Sequence, residues 1–233
     1  QIQHGETRIE VHAKRLIFTA GQGNAALMEQ LGLESPAMQL RPLQQVMVKH
    51  SHPFSFFGHC LGAETTPRLT ISSHSLNKQE QVWYLGGRLA EQGATLSSEE
   101  LIEAAKTELV DLIPWVDFSA AEWATLPINR AEPLQTNFAR PDNAFITAAK
   151  GCSNVLVGWP TKLTLAPNLA NKALELLAQA GIEPSAKTTH GELTRFLPTP
   201  PVAQTPWELA FPAPMSSEEQ LMLKLQEDLV EAY

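Results

Sequence analysis

Hydrophobic and polar positions follow two different periods along the chain, and each period predicts one kind of element. Apolar and polar residues alternate over 7–12, which predicts a half-buried strand, and the apolar run Leu16-Ile17-Phe18 is typical of a strand buried on both faces. Further candidate strands are separated by turn-forming residues at short, regular spacing, which favours antiparallel pairing. They cover Leu43–Lys49, Phe56–Leu61, Arg68–Ser73, Gln81–Gly86, Glu122–Asn129, Ala144–Thr147 and Val155–Val157.

Apolar residues at helical spacing predict two helices in the first half of the chain. The first covers residues 24–33, where Gly32 ends the helical pattern. The second begins after Ser97, whose spacing to Glu100 is that of a capping box, and Pro114 ends it. Its apolar face consists of Leu101, Ile102, Ala105, Leu109 and Leu112.

Two more helices are predicted in the second half. One runs from about Thr164 to Ala180 and ends at Gly181. Residues 198–214 contain six prolines and are predicted to form a stiff, extended linker. A final amphipathic helix is predicted over 216–231, and we expect its apolar stripe to dock on this chain or on a partner. The stripe consists of Leu221, Leu225 and Leu229.

Composition limits the classes of function. The 233 residues carry a formal net charge of -8, which argues against nucleic acid because phosphate binding needs a basic surface. No apolar run approaches the roughly 20 residues of a membrane-spanning helix. The two cysteines, Cys60 and Cys152, form no CxxC pair, so a reducing compartment is the simplest interpretation. We therefore expect a cytoplasmic protein, with peripheral attachment to a membrane left open.

The first residues are also informative. The chain begins with Gln1 rather than Met, and it has neither the basic end nor the apolar core of a signal peptide. This beginning fits a chain whose front part was cut away or never expressed.

The turn Gly21-Gln22-Gly23-Asn24-Ala25-Ala26 matches a GxGxxA dinucleotide fingerprint between a strand and a helix. The fingerprint also needs a carboxylate at the end of the next strand to bind the ribose, but that strand ends with Lys49 and His50. We therefore do not interpret this turn as such a site, and an ordinary strand-to-helix turn is one alternative. Nor is a metal site predicted from His50, His52, His59 and Cys60, because Pro53 breaks the strand that would align the first two.

Two distant segments carry the strongest functional signal. Residues 158–167 (Gly-Trp-Pro-Thr-Lys-Leu-Thr-Leu-Ala-Pro) form a glycine-bearing turn that leads into a helix, and residues 15–21 (Arg-Leu-Ile-Phe-Thr-Ala-Gly) form a strand that stops at small residues. Together they resemble the two C-terminal flavin-contacting segments of the FAD-dependent oxidoreductases of the D-amino-acid oxidase, sarcosine oxidase and glycerol-3-phosphate dehydrogenase superfamily. The resemblance implies FAD as the cofactor, with contacts from Thr19, Ala20, Gly21, Gly158, Thr161, Lys162, Leu163 and Thr164.

In that superfamily the helix after the glycine turn points its N-terminus at the flavin. Reduced flavin carries negative charge near N1 and the C2 carbonyl oxygen, which free backbone N–H groups and a helix dipole stabilise. Residues 161–164 resemble the Gly-Lys-Leu-Thr stretch of the glycerol-3-phosphate dehydrogenases, whose lysine lies beside flavin and substrate. The resemblance therefore implies a catalytic role for Lys162. The alternative is a solvated lysine near a helix start.

Arg130 and Gln45 are candidates for substrate binding. Arg130 lies in a segment that resembles the superfamily's Gly-x-Arg-Pro element, whose arginine binds a carboxylate or phosphate, although the glycine and the adjacent proline are missing. A structural arginine paired with Glu132 or another acid is the alternative. Gln45 lies in a segment resembling the strand that opens the substrate domain, near a histidine of the glycerol-3-phosphate branch. Its amide cannot act as a general base, which disfavours that branch.

The resemblance covers roughly residues 1–180 and implies an α+β fold, in which an antiparallel β-sheet substrate-binding domain is flanked by pieces of a split FAD-binding α/β domain. The implied FAD-binding pieces are residues 1–40 and 151–184, and the implied substrate domain is 41–150. Residues 185–233 would form the proline-rich linker and the C-terminal helix. No GxGxxG unit for the ADP half of FAD precedes Arg15. The expected partner is therefore the missing N-terminal half of the same protein.

In the intact superfamily a hydride passes from a substrate C–H bond to flavin N5. The implied function is that of a portion of a flavin-dependent oxidoreductase acting on a small anionic substrate, such as an amine, an amino acid, or a 2-hydroxy or polyol-phosphate compound. We expect this chain alone to be inactive. The alternative is a non-catalytic binding module that keeps the scaffold without the cofactor.

Overall fold

The computed structural model describes residues 2–64, 66–136, 141–184, 197, 199 and 201–213. The chain divides into two compact units. Unit 1 comprises residues 1–43 and 127–201, and unit 2 comprises residues 44–126 and 202–233. The fold is mixed α+β, as predicted. The predicted four-part division, with boundaries after residues 40, 150 and 184, stays a prediction.

Unit 1 contains a hairpin and a three-stranded sheet. The hairpin pairs β1 (Ile2–His4) with β2 (Thr7–Ile9). The sheet has the order β3-β10-β9, formed by β3 (Leu16–Phe18), β9 (Phe145–Ala149) and β10 (Cys152–Trp159). Strand β10 is parallel to β3 and antiparallel to β9. Two segments more than 130 residues apart in sequence thus become neighbours, since Phe18 pairs with Val157.

The helices of unit 1 agree with their predicted ends. Helix α1 (Asn24–Gln30) stops before Gly32, and α4 (Ala166–Gln179) stops before Gly181. Both glycines have positive φ, 65° and 70°, a conformation that costs other residues energy. The buried core of unit 1 consists of Met28, Ala149, Val155, Val157 and Trp159.

Strand β3 was predicted to be buried on both faces, and this was wrong. Leu16 and Ile17 are 40% and 39% exposed. Among the described strands β3 pairs with β10 alone, so it lies at an edge of the sheet. The apolar run therefore indicates a strand but overstates its burial.

A five-stranded sheet dominates unit 2, and strands β4 and β8 contribute residues to both units. Its order is β5-β6-β7-β4-β8. The strands are β4 (Met38–His50), β5 (Gly58–Cys60), β6 (Leu69–Ser75), β7 (Gln81–Gly86) and β8 (Glu122–Pro133). The pairings of β5 with β6, β6 with β7 and β4 with β7 are antiparallel, as predicted.

One face of this sheet is covered by helices α2 (Arg88–Gly93) and α3 (Ser98–Leu112). The predicted capping box is present: Glu100 N donates to Ser97 Oγ at 3.2 Å, and Ser97 N donates to Glu100 Oε2 at 2.9 Å. The periodicity did not predict the six-residue helix α2. The core between sheet and helices consists of Val46, Val48, Leu69, Ile71, Trp83, Leu85, Leu89, Leu101, Ala105, Leu109 and Ile113.

Residues 202–213, which we call the strap, pack against the opposite face of the sheet in unit 2. The strap contains helix α5 (Pro206–Ala210), so the prediction of an extended linker was wrong here. Thr205 and Glu208 form a capping box, and Pro206 occupies the start of the helix, where its missing N–H costs nothing. The predicted helix over 216–231 and its leucine stripe lie outside the described residues.

No helix in the described part of the chain is long and apolar enough to cross a membrane.

Candidate functional site

The two segments with the strongest sequence signal meet in unit 1. Trp159 Nε1 donates a hydrogen bond to the Gly21 carbonyl oxygen at 3.0 Å. Asn24 Nδ2 donates to the Gly158 carbonyl oxygen at 3.2 Å, and Asn24 Oδ1 accepts from Ala20 N at 2.8 Å. Asn24 is fully buried, so its side chain joins the Gly21 turn to the end of strand β10 from inside unit 1. The sequence reasoning missed Asn24 and Trp159 as the residues that connect these segments.

Gly158 lies within strand β10 and not in a turn, because the strand continues to Trp159. A Cβ at this position would lie 3.0 Å from Leu169 Cδ1, 3.1 Å from the Phe145 carbonyl oxygen and 3.2 Å from Ile146 Cβ. Close packing between β9, β10 and α4 therefore explains the glycine. Its implied contact with a cofactor stays a prediction.

The turn itself is centred on Thr161. Its φ is 63°, and among the described residues it is the non-glycine residue with positive φ. A β-branched side chain in this region is strained by roughly 1–3 kcal/mol, which the surrounding structure has to offset. Thr161 Oγ1 hydrogen-bonds the carbonyl oxygens of Asn143 at 3.2 Å and Pro160 at 2.6 Å, and these bonds help to hold the turn.

This turn leads into a helix whose N-terminus carries no described cap. A 3₁₀ turn (Leu163–Leu165) continues directly into α4, and neither has a side-chain cap or an acidic residue in its first turn. Leu163 is 89% exposed. The N–H groups of Leu165 and Ala166 are bonded within this turn, whereas those of Leu163 and Thr164 have no acceptor among the described residues. These two N–H groups and the positive end of the helix dipole therefore suit a negatively charged or carbonyl-bearing group.

Lys162 stands at the start of this helix. Its Nζ lies 3.3 Å from Asp142 Oδ1, and the aspartate side chain is largely exposed. An exposed pair of this kind contributes between roughly 0 and 1 kcal/mol, so it does not commit Lys162 to a structural role. The catalytic role that the resemblance implies stays a prediction.

Arg130 lies half-buried on β8 in unit 1. Glu132, the acid considered as the structural partner of Arg130, is 2% exposed and forms an ion pair with Arg41. Arg41 Nε donates to Glu132 Oε2 at 2.7 Å, and Arg41 Nη2 donates to Oε1 at 3.2 Å. Gln39 Nε2 also donates to Glu132 Oε2, at 3.3 Å. This network satisfies the buried carboxylate, and substrate binding by Arg130 stays a prediction.

Gln45 lies in unit 2 on the sheet face that the strap partly covers. Its Oε1 is buried and accepts no hydrogen bond from the described residues. The side chains of Thr70 and Gln45 pack closely over Gly86, since a Cβ there would lie 2.6 Å from Thr70 Oγ1 and 3.5 Å from Gln45 Oε1. Gln45 Oε1 is therefore an acceptor that no described residue uses, in a closely packed part of this sheet face.

Other half-buried polar residues, which were not predicted as site residues, share this face. We call Gln45, Thr70, Ser72, His74 and Tyr84 the polar row. Ser72 Oγ lies 3.0 Å from His74 Nε2. Burial lowers the pKa of His74 and raises the pKa of Tyr84 to about 12, so both are neutral at pH 7. The alternation of apolar with polar residues over 69–72 was the available signal.

His50 and His52 lie on a separate cluster of rings in unit 2. His50 packs edge-on against Trp83, with ring centroids 4.7 Å apart, and Phe118 lies 6.1 Å from it. Within the described parts of the chain, no group of three or more His, Cys, Asp or Glu side chains is arranged to hold a metal ion.

The chain matches no protein-family model. It is 48% identical over 203 residues to the "Probable FAD-dependent oxidoreductase PA4991" of Pseudomonas aeruginosa, an alignment that covers 87% of this chain and 50% of that protein. The crystal structure of that FAD-dependent oxidoreductase superposes with a TM-score of 0.76 at 46% identity, covering 87% of this chain and 54% of the other. Nearly the whole of this chain is therefore homologous to this FAD-dependent oxidoreductase, and it spans about half the length of the relative it matches.

A second solved structure has a lower similarity. It is the iminodiacetate oxidase of Chelativorans sp. BNC1, with 17% identity and a TM-score of 0.44 over 83% of this chain and 48% of the other.

Proposed function

We propose that this chain is the part of a flavin-dependent oxidoreductase that contacts the edge of FAD and binds the substrate. The observation that carries the proposal is the junction in unit 1, where the strained Thr161 turn and an uncapped helix adjoin the Gly21 turn. The relationship to an FAD-dependent oxidoreductase supports it.

The residues at this junction fit FAD. Gly21 has a φ of 60°, and a Cβ at this position would meet nothing within 4 Å among the described atoms, so there is open space beside this backbone. Leu163 and Thr164 begin the helix with N–H groups that bond no described acceptor, and its first turn has no acidic side chain. When bound, FAD supplies the hydride acceptor. The helix N-terminus would stabilise the negative charge that develops on the flavin, and Lys162 would add an ammonium group at its edge.

In this proposal Arg130 binds the anionic group of the substrate, because a guanidinium stays charged and can grip an oxyanion with two hydrogen bonds. Gln45 contributes a neutral acceptor to the substrate. The substrate class is an amine, an amino acid, or a 2-hydroxy or polyol-phosphate compound. The three-stranded sheet and α4 would belong to a split FAD-binding domain. The N-terminal half of the same protein would complete that domain and cover the apolar side chains exposed on β3.

The helix N-terminus provides the test. The variant Leu163→Glu places a carboxylate at the start of the helix, where it stabilises the helix dipole but repels negative charge on a bound flavin. In the complete protein that contains this chain, we expect the two-electron reduction potential of FAD to fall by roughly 20 mV, the equivalent of about 1 kcal/mol. Dye-equilibrated reductive titration measures this potential.

The matched control is Leu174→Glu, which adds the same charge at an exposed position in the middle of α4. We expect this variant to leave the potential unchanged. Equal potentials in the two variants would place the flavin away from this helix. If the complete protein binds no FAD at all, the non-catalytic binding module becomes the better description.

A further inference from the structure

The strap covers only part of the sheet face in unit 2. Phe211 is buried against Met47 and Val82. Trp207 and Ala210 pack against the same cluster, which also includes Tyr84 and Leu126. The strand register sets the order along the face: His74 pairs with Val82, Ser72 with Tyr84, and Thr70 with Gly86. The strap therefore lies over one end of the polar row, and Ser72, Thr70 and Gln45 continue beyond it.

Trp207 stands where the strap ends along the polar row, next to the half-buried residues that continue beyond it. Its ring stacks on His74, with centroids 3.9 Å apart and planes 22° apart. Its centroid lies 6.4 Å from that of Tyr84, at an interplanar angle of 68°. The Trp207 ring, which we call the wall, thus lies at one end of the polar row.

The position of this wall is fixed before any ligand binds. Thr205 N donates to Glu208 Oε2 at 2.7 Å, and Glu208 N donates to Thr205 Oγ1 at 3.3 Å, which holds the helix start. At the other end of α5, Lys49 Nζ lies 5.8 Å from the centre of the Phe211 ring. Because both ends are held, a ligand that meets Trp207 does not have to order it first.

We propose that Trp207 determines the length of substrate that the polar row accepts, which makes it a specificity-determining residue of the oxidoreductase. This inference rests on the proposed function. The end of the substrate that reaches Trp207 is a short apolar group, because the indole and the Tyr84 ring bear no formal charge there. A longer substrate group would clash with the Trp207 indole. A charged substrate group would lose its hydration there without gaining an oppositely charged side chain.

The test uses the complete protein with FAD and two series of probes, straight-chain 2-amino acids and straight-chain 2-hydroxy acids of increasing length. In Trp207→Ala the wall is removed, so kcat/KM for the longest probe should rise relative to that for the shortest by about 10-fold or more. Discrimination of this size is typical of pockets that distinguish apolar groups by their length. The exposed Leu209, on the same helix, provides the control variant Leu209→Ala, which should leave the length preference unchanged.

A second measurement separates this inference from the proposed function. In Trp207→Ala the imidazole of His74 loses its cover, so its pKa, followed by NMR, should rise toward 6.5. The same resonance reports binding of the probes without turnover. If neither series of probes reduces FAD, the proposed substrate class is wrong. The dependence of binding affinity on probe length still tests whether Trp207 limits the length that the polar row accepts.

An unchanged length preference in a variant whose His74 pKa has risen would overturn the inference. If Trp207→Ala does not fold, Trp207→Phe provides a variant with a smaller aromatic ring. Its preference for long over short probes should change in the same direction, but by less. The inference would also be overturned if Trp207→Phe folds, keeps the length preference of the unaltered protein and binds every probe with unchanged affinity.

Discussion

Acidification should destabilise unit 2 through His50. This side chain is 6% exposed, and its pKa is lowered from 6.5 to about 4, mainly by burial and then by the neighbouring charge of His52. His50 Nδ1 accepts the backbone N–H of His52 at 3.1 Å, so the neutral ring carries its proton on Nε2. A second proton would both break this bond and leave a buried charge.

The pH dependence of the free energy of unfolding follows from the difference between the folded and the unfolded pKa of His50. The folded pKa lies below the unfolded one, so the contribution of neutral His50 is complete above pH 6.5 and is lost as the pH falls toward 4. The full difference of 2.5 pKa units, from 6.5 to about 4, corresponds to about 3 kcal/mol. Of this, about 2 kcal/mol should be lost between pH 7.5 and pH 5.

Urea unfolding followed by tryptophan fluorescence at these two pH values measures the loss. The variant His50→Gln does not titrate, so its free energy of unfolding should depend less on pH, by the same roughly 2 kcal/mol. His59→Gln is the matched control, since His59 is exposed, and it should keep the pH dependence of the unaltered chain. Identical pH dependence in His50→Gln and in the unaltered chain would refute the reasoning.

Four further predictions concern unit 1 and the cofactor. Arg41→Met should lower the free energy of unfolding by roughly 3–5 kcal/mol, because it leaves the Glu132 carboxylate buried without its cation, and Glu132→Gln in the same chain should restore much of the loss in urea unfolding. Residues 1–233 alone should bind FAD weakly or not at all after desalting, and a stoichiometric yellow complex would contradict this. Under the proposed function, Arg130→Lys in the complete protein should cost roughly 1–3 kcal/mol in kcat/KM, mostly as a raised KM. Lys162→Met should instead slow flavin reduction in stopped flow, with little change in affinity for a substrate analogue.

Local signals predicted much of the fold. The strand β7 and the capping box of α3 follow from short-range patterns, and the structure has both at the predicted residues. The strap was missed because the prolines of 198–214 outweighed the spacing of Thr205 and Glu208, which by itself predicts a helix start.

The candidate site could be predicted only in part. The sequence indicated that residues 15–21 and 158–167 share a function, but not that Asn24 joins them by hydrogen bonds to Ala20 and Gly158. The role of Gly158 depends on Leu169 and Ile146, which reach it only after folding. A pattern within one segment contains no information about such distant neighbours.

The exposed edge of β3 has a consequence for handling the chain by itself. An edge strand offers unpaired N–H and C=O groups, and here Leu16 and Ile17 add apolar surface to that edge. Such a strand is a template on which other copies can add strands, so the isolated chain should aggregate as its concentration rises. Charged substitutions at these two positions would keep it monomeric at the concentrations that spectroscopy needs.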